Sequence, residues 1–276
     1  MRQVAVVTDS NVCLPAPLVD TLGIRVLPIT VHLPGADCLD GEDALSSRVY
    51  AALDDDQPVK SSPPSVAEYL AAIEEADAGA VVVVTPAVEF TSMHTYASLA
   101  CELAGRRAVA VDSRTAAAGA GLVALAGARA ASEGGSLETV LRVVEEASTR
   151  VDLVASVAEL RTLWRRGHVA SQVLDQPGRE GQARPRTLFR FRRGAVEALD
   201  PAPSAEAALD AVWARWAGGG GPGATSCVVF HADDPELAAR LEARLGSVSF
   251  VSGFSAAMGI HTGRGVVGAA WLPVPP

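Results

Sequence analysis

The hydrophobic positions of this chain form short buried runs that alternate with longer helical patterns. Four consecutive valines at 81–84, bounded by Gly79 and Pro86, are typical of a strand that is buried on both faces of a parallel sheet. Similar patterns predict strands at 4–7, 24–31, 106–113, 152–157, 227–230, 248–251 and 266–272. They predict helices at 14–22, 66–76, 91–103, 115–131, 158–164 and 235–245, and one that carries Trp213 and Trp216 and ends at Gly218. Alternating strands and helices predict an α/β fold.

Polar residues follow several predicted strands at their carboxyl ends, where open α/β sheets gather their ligands. The segment 8–11 follows the first strand, and Thr91 and Ser92 follow the valine strand. Thr91 or Ser92 opens the next helix, and the free backbone amides of a helix N-terminus favour a carboxylate or a phosphate. This junction predicts an anion-binding site. The alternative is that the two hydroxyls only cap the helix.

Composition narrows the class of protein. The 276 residues are enough for two domains with substantial cores. The hydrophobic content is 49%, yet no apolar run approaches the roughly 18 residues of a membrane span. A net charge of −9 disfavours general nucleic-acid binding, which needs a cationic surface. The first predicted strand, at 4–7, is not preceded by the charged and then apolar pattern of a signal peptide. We therefore expect a cytoplasmic protein.

Four features suggest metal or catalytic chemistry that their spacing does not support. The acidic segment 32–57 lacks the alternating carboxylates and closing Glu of a calcium loop, and we expect a solvated loop and helix there. The segment 259–265 lacks the Gly-Lys-Ser/Thr ending of a phosphate loop. His231, Asp233 and Asp234 are explained by a turn that leads into a helix. The cysteines lack metal-ligand spacing and predict free thiols, at Cys13, Cys38, Cys101 and Cys227.

Five short motifs occur in order along the chain, at 7–10, 60–65, 111–113, 163–168 and 260–265. Together they resemble the DegV family of bacterial fatty-acid-binding proteins. The resemblance implies an N-terminal parallel-sheet α/β/α domain at 1–150 and a C-terminal mixed α/β domain at 151–276. It implies one long-chain fatty acid between the two domains, and neither a further cofactor nor a metal. It also implies a carrier rather than an enzyme, which presents its ligand to a fatty acid kinase that phosphorylates the carboxylate.

The resemblance also implies specific ligand-binding residues. Ser61 takes the place of a carboxylate-binding Thr of the family, in a segment that Pro63 and Pro64 are predicted to hold as an extended turn outside any regular ladder. Ser62 is the neighbouring hydroxyl. His261 matches the family histidine of a His-Thr-Gly loop, where it hydrogen-bonds the carboxyl group or its hydroxyl network.

The second hydroxyl ligand depends on the alignment of segment 90–94. The register without gaps places Thr91 at the ligand position, with Ser92 beside it. A rival register aligns Thr95 and Tyr96 with the Thr-Tyr pair of the family, and it would leave Met93 at the ligand position without a hydroxyl. We prefer the first register because it preserves the hydroxyl chemistry.

A basic stretch distinguishes residues 161–193, which contain nine arginines and only two acidic residues. The resemblance places an Arg-Arg-Gly turn on the face that docks the kinase, with Arg166 as the first predicted contact and Arg165 as the second. The alternative is a solvated loop that carries arginines for solubility.

An enzyme is the competing interpretation of the whole chain. A hydrolase or an acyl or phosphoryl transferase would use a Ser or Thr nucleophile on a lipid-like substrate, with His261 or His94 as the base. The sequence contains no GxSxG elbow and no recognisable order of Ser, His and Asp. We therefore favour the carrier.

Overall fold

The computed structural model describes residues 2–158, 185–219, 221–222 and 225–273. Within them the strands are β1 (Arg2–Asp9), β2 (Arg25–Leu27), β3 (Thr30–Leu33), β4 (Ala36–Leu39), β5 (Lys60–Ser62), β6 (Ala78–Thr85), β7 (Ala108–Asp112), β8 (Asp152–Val157), β9 (Arg186–Arg192), β10 (Ala195–Ala202), β11 (Thr225–His231), β12 (Phe250–Gly253) and β13 (Val267–Pro273). The helices are α1 (Ala16–Leu22), α2 (Leu45–Asp54), α3 (Val66–Glu74), α4 (Met93–Leu103), α5 (Ala117–Ser132), α6 (Leu137–Arg150), α7 (Ala205–Gly218), α8 (Pro235–Leu245) and α9 (Ala256–Thr262). The predicted helix at 158–164 falls almost wholly outside the described residues.

The first sheet is parallel and has the strand order β2-β1-β6-β7. The valines of β6 are fully buried, because successive side chains point to opposite faces and both faces are covered. Val82 and Val84 pack towards α5 and α6, whereas Val81 and Val83 pack towards α3 and α4. The predicted parallel α/β/α arrangement is confirmed.

The second sheet is mixed and has the order β10-β9-β8-β13-β11-β12, in which only β11 and β12 pair in parallel. β13, the last strand, pairs between β8 and β11 in the middle of the sheet. One face carries α7 and α8, with Trp216 fully buried there. The other face shares a core with α5, which also packs on the first sheet.

Helix α5 lies between the two sheets because its side chains are small. Twelve of its 16 residues are buried, and most of these are Ala or Gly. A Cβ atom at Gly121 would collide with the carbonyl oxygen of Val12. The small residues therefore permit close backbone approach. The division into domains at 150 and 151 stays a prediction.

A third, antiparallel sheet has the order β4-β3-β5 and corrects three predictions. The predicted strand 24–31 is broken at Pro28 into β2 and β3, which belong to different sheets. The acidic segment 32–57 contains the predicted helix, α2, but it also contains strand β4, and Val49 of α2 lies in a buried core and is not solvated. Ser61 and Ser62 lie in the regular strand β5 and not in a turn, because the ladder ends only at Pro63, which has no N–H.

Several local predictions are confirmed. Gly23 ends α1 in the left-handed conformation. Asp234 caps α8 by accepting the backbone N–H of Leu237, and the backbone N–H of Asp234 donates to His231 Nδ1, as expected of a turn before a helix. The four cysteines are free. None of the helices in the described ranges is long and apolar enough to cross a membrane.

Candidate ligand-binding site

A cavity of about 400 Å³ lies where the carboxyl edge of the parallel sheet meets the six-stranded sheet. Its walls come from the segments that follow β1 and β6, from the starts of α4 and α5, from β5, from the six-stranded sheet and from α9. The lining residues are Asn11, Ile29, Ser61, Pro63, Pro86, Phe90, Thr91, Ser92, Met93, Ala116, Ala117, Leu153, Phe189, Phe191, Val196, Phe230, Phe254, Ala257, Met258, His261 and Thr262. The volume lies within the range of about 300–1,000 Å³ that is usual for small-molecule sites.

Aromatic side chains dominate one part of the wall. Five of the six phenylalanines of the chain line the cavity, although aromatic residues make up only 5% of the sequence. The rings of Phe90 and Phe191 are 4.6 Å apart, and those of Phe230 and Phe254 stack at 5.5 Å. The lining residues that the structure describes include no Lys, Arg, Asp or Glu. This wall suits an apolar ligand.

A serine and a histidine meet at the polar part of the cavity. Ser61 Oγ lies 3.1 Å from His261 Nε2, although the two residues are 200 positions apart. Ser61 is presented by β5, and His261 lies in the last turn of α9 and not in a loop as predicted. The structure therefore brings together two of the residues that the sequence predicted for carboxylate binding.

Asp40 joins the element that carries His261 to the small sheet that carries Ser61. Its Oδ1 accepts the backbone N–H of Ala257 at the start of α9 (3.2 Å), and its Oδ2 accepts the Ser10 hydroxyl (2.6 Å). Asp40 directly follows β4 and is buried, with 6% of its surface exposed. The carboxylate thus helps to set the distance between Ser61 and His261.

Thr91 also lines the cavity. Its Oγ1 accepts the backbone N–H of Met93 at 3.3 Å, which leaves the hydroxyl hydrogen able to donate to a ligand. Ser92 occupies the N-cap position but makes no capping hydrogen bond with its side chain; it is exposed and lines the rim of the cavity. Met93, the ligand position of the rival register, also lines the cavity but has no hydroxyl, whereas Thr95 is exposed and is not part of the lining.

Ser62 points to the opposite face of β5 and is not among the lining residues. Its Oγ lies 2.7 Å from His32 Nε2, and His32 Nδ1 lies 2.7 Å from Asp37 Oδ1. The three side chains form a Ser–His–Asp chain that the sequence analysis missed, because the residues come together only through the pairing of β3 with β4 and β5. The side chain of Asp37 is 71% exposed.

Two residues near the cavity were not predicted to act there. Asn11 lines the cavity, and its Oδ1 accepts the backbone N–H of Ala117 at 3.1 Å. Asp9 is fully buried, and burial raises the pKa of its carboxyl to about 7, with a smaller contribution from the charge of Asp40 and an opposing one from the Asn11 N–H. The only sequence signal was the polar segment at the carboxyl end of the first strand.

The predicted docking residues Arg165 and Arg166 lie outside the described residues. Two other arginines of the basic stretch make contacts within the protein. Arg186 is buried and donates to Ser156 and to the carbonyl oxygen of Gly265, and Arg190 pairs with Asp152. Across the described ranges, no group of three or more His, Cys, Asp or Glu is arranged to hold a metal ion.

The fold and the cavity define an α/β protein in which two sheets share a central helix and enclose a largely apolar ligand site. The chain matches the family model described as "Uncharacterised protein, DegV family" over residues 3–274. A DegV domain-containing protein of Streptomyces coelicolor is 30% identical over 280 residues and 97% of each chain. The chain therefore belongs to the DegV family.

Other relatives agree with this assignment. A DegV domain-containing protein of Mycobacterium tuberculosis is 34% identical over 170 residues, and the chain spans only 59% of the length of that relative. The structure of a DegV family protein from Thermus thermophilus, which is described as binding fatty acid, superimposes with a TM-score of 0.89 at 25% sequence identity. The match covers 99% of this chain and 100% of the Thermus thermophilus chain. DegV from Bacillus subtilis, described as a fatty acid binding protein, shares the fold with a TM-score of 0.84 at 22% identity, over 99% and 100% of the two chains.

Proposed function

We propose that the protein binds one long-chain fatty acid in this cavity, with the carboxyl group on Ser61, Thr91 and His261. The observation that carries the proposal is the contact of Ser61 with His261 beside an otherwise apolar, phenylalanine-rich wall. The description of the related Thermus thermophilus protein by its fatty acid binding supports it. The protein then presents the bound acid to a fatty acid kinase, which forms the acyl phosphate.

The two ends of the ligand contribute differently to the free energy of binding. Burial of an acyl chain contributes roughly 0.8 kcal/mol per methylene, so about ten methylenes contribute on the order of 8 kcal/mol. Each neutral hydrogen bond contributes about 0.5–1.5 kcal/mol net. The aromatic wall therefore supplies the affinity, and the hydroxyl groups of Ser61 and Thr91 fix where the carboxyl group points.

Neutral donors suit a carrier that must release its ligand. A buried ion pair with Arg or Lys would hold the carboxylate tightly and would lower its reactivity as a nucleophile towards a phosphoryl group. The described lining residues supply hydroxyl and imidazole groups instead. We infer that the partner kinase supplies the charge that stabilises phosphoryl transfer.

The first test identifies the ligand. Native mass spectrometry of the purified protein, followed by organic extraction, is expected to show one long-chain fatty acid per chain. The double variant Ser61→Ala, Thr91→Ala is expected to bind the fatty acid about 5- to 140-fold more weakly, since two hydrogen bonds are lost. Ser62→Ala is the matched control, because Ser62 is the adjacent serine on the other face of β5. Equal affinity of the double variant and the control would refute the assignment of the carboxyl site.

A hydrolase remains the second candidate, because Ser62, His32 and Asp37 have the contacts of a catalytic triad. Two features disfavour it. The residue after Ser62 is Pro63, which has no N–H to donate to an oxyanion. The triad also faces away from the cavity. Turnover of ester substrates that is lost in Ser62→Ala would establish the enzyme, whereas the carrier predicts no turnover by either protein.

A further inference from the structure

We propose that Asn11 is a ligand-binding residue that donates hydrogen bonds from its side-chain amide to the carboxylate in the cavity. The inference rests on the proposed fatty-acid site and assigns it a donor that is neither a hydroxyl nor a histidine.

The orientation of the amide follows from its partner. The backbone N–H of Ala117 can only donate, so the Asn11 atom that faces it at 3.1 Å is the acceptor Oδ1. The two N–H groups of Nδ2 must then point away from the start of α5. In the part of the chain that the structure describes, Nδ2 donates to no protein acceptor. Because Asn11 lines the cavity, these two donors are available to a ligand there.

The backbone around Asn11 is held in place. Asn11 lies in the short turn Ser10–Val12, and its own N–H donates to the buried Oδ1 of Asp9 at 2.9 Å. Ala117, whose backbone N–H donates to Asn11 Oδ1, has a φ of 49°, a left-handed conformation that is unfavourable for alanine. The Asn11 contact satisfies the N–H of this strained residue. Strained backbone of this kind concentrates at binding sites, where surrounding contacts maintain it.

Asn11 belongs to the polar part of the cavity. The turn Ser10–Val12 packs against α9, the helix that carries His261. Ser10 donates to Asp40, whose other oxygen accepts from Ala257 at the start of that helix. A carboxylate accepts about four hydrogen bonds, and Ser61, Thr91 and His261 supply at most three. Asn11 supplies the remaining donors without adding a charge.

The test compares two ligands of the same chain length, a fatty acid and the corresponding fatty alcohol. Asn11→Asp keeps an oxygen for the Ala117 N–H but replaces the amide donors by a negative charge. We expect it to bind the fatty acid at least about tenfold more weakly and the alcohol within about twofold of the unchanged protein. Gln57→Glu adds the same charge at an exposed position outside the cavity and is expected to change neither affinity.

A second variant covers the case in which the new charge prevents folding. Asn11→Ala removes the donors without adding charge, and it is expected to weaken the acid several-fold more than the alcohol. Equal losses for acid and alcohol in both variants, or no loss in either, would overturn the role of Asn11. If the unchanged protein binds no fatty acid, the proposed function itself fails, which is a different outcome.

Discussion

The buried carboxyl of Asp9 leads to a prediction about stability. Asp9 lies at the carboxyl end of β1, where its Oδ1 accepts the N–H of Asn11 and its Oδ2 is buried without a hydrogen bond from the described residues. Burial raises the pKa of this carboxyl from the ordinary value of 3.8 to about 7. Asp9→Asn keeps the acceptor for the Asn11 N–H and removes the titration.

The magnitude follows from the two pKa values. Because the folded protein prefers the protonated carboxyl, the stability that this preference confers is complete below pH 3.8 and is lost as the pH rises through about 7. At about 1.4 kcal/mol per unit of pKa, the cost of ionising Asp9 in the fold is about 4 kcal/mol at pH 8 and under about 2 kcal/mol at pH 5. The unchanged protein should therefore lose about 2–3 kcal/mol more than Asp9→Asn between these two pH values.

Urea unfolding of both proteins at pH 5, 6, 7 and 8 measures this difference. The contributions of the other ionisable groups cancel when the two proteins are compared at each pH. Asp20→Asn, which removes a carboxylate from the exposed side of α1, is the matched control. A stability difference between Asp9→Asn and the unchanged protein that stays constant from pH 5 to pH 8 would refute the argument from burial.

Two further predictions concern the site and its partner. Asp40→Ala removes the acceptor of the Ala257 N–H and of the Ser10 hydroxyl, so we expect about 1–3 kcal/mol lower stability and weaker fatty-acid binding, with a smaller effect on binding when His261→Ala is already present. Equal effects with and without His261 would mean that Asp40 does not act through that histidine. Arg166→Ala is expected to leave fatty-acid binding intact and to weaken phosphorylation by the kinase; loss of fatty-acid binding instead would place that arginine in the cavity.

The regular parts of the fold were predictable because their patterns are local. The valine run of β6 is buried on both faces, and Gly23 ends α1, as the residue types require. The small third sheet was not predictable in the same way. β5 forms because residues 60–62 pair with β3, about 30 positions earlier. Pro63 and Pro64 interrupt the pairing only from residue 63 onwards. A prediction from Pro63 and Pro64 alone could not include that partner.

The residues of the candidate site also fall into two groups, those that a local motif identifies and those that only the fold brings to the site. Ser61, Thr91 and His261 were identified from motifs, and the structure places all three on one cavity. Asn11 and Asp40 were not predicted as site residues, since their importance depends on backbone partners 106 and 217 positions away. Asparagine and aspartate after a strand are equally usual in turns that bind nothing. Only the fold shows which of these side chains reach the ligand cavity or the helix that lines it.

Ser61 and Ser62 show how strictly the strand register divides two neighbouring hydroxyls. Ser61 pairs with Val31, which is completely buried, so Ser61 lies on the buried face of β5, where it lines the cavity. Ser62 lies on the other face and meets His32. Because side chains alternate along a strand, a slip of one residue in the pairing of β5 with β3 would exchange the two serines. Val59 opposes such a slip, because it is two residues before Ser61 and is buried in the same core as Val31, and the slip would bring Lys60 to that face in its place. The burial of Val59 together with Val31 therefore determines which serine reaches His261.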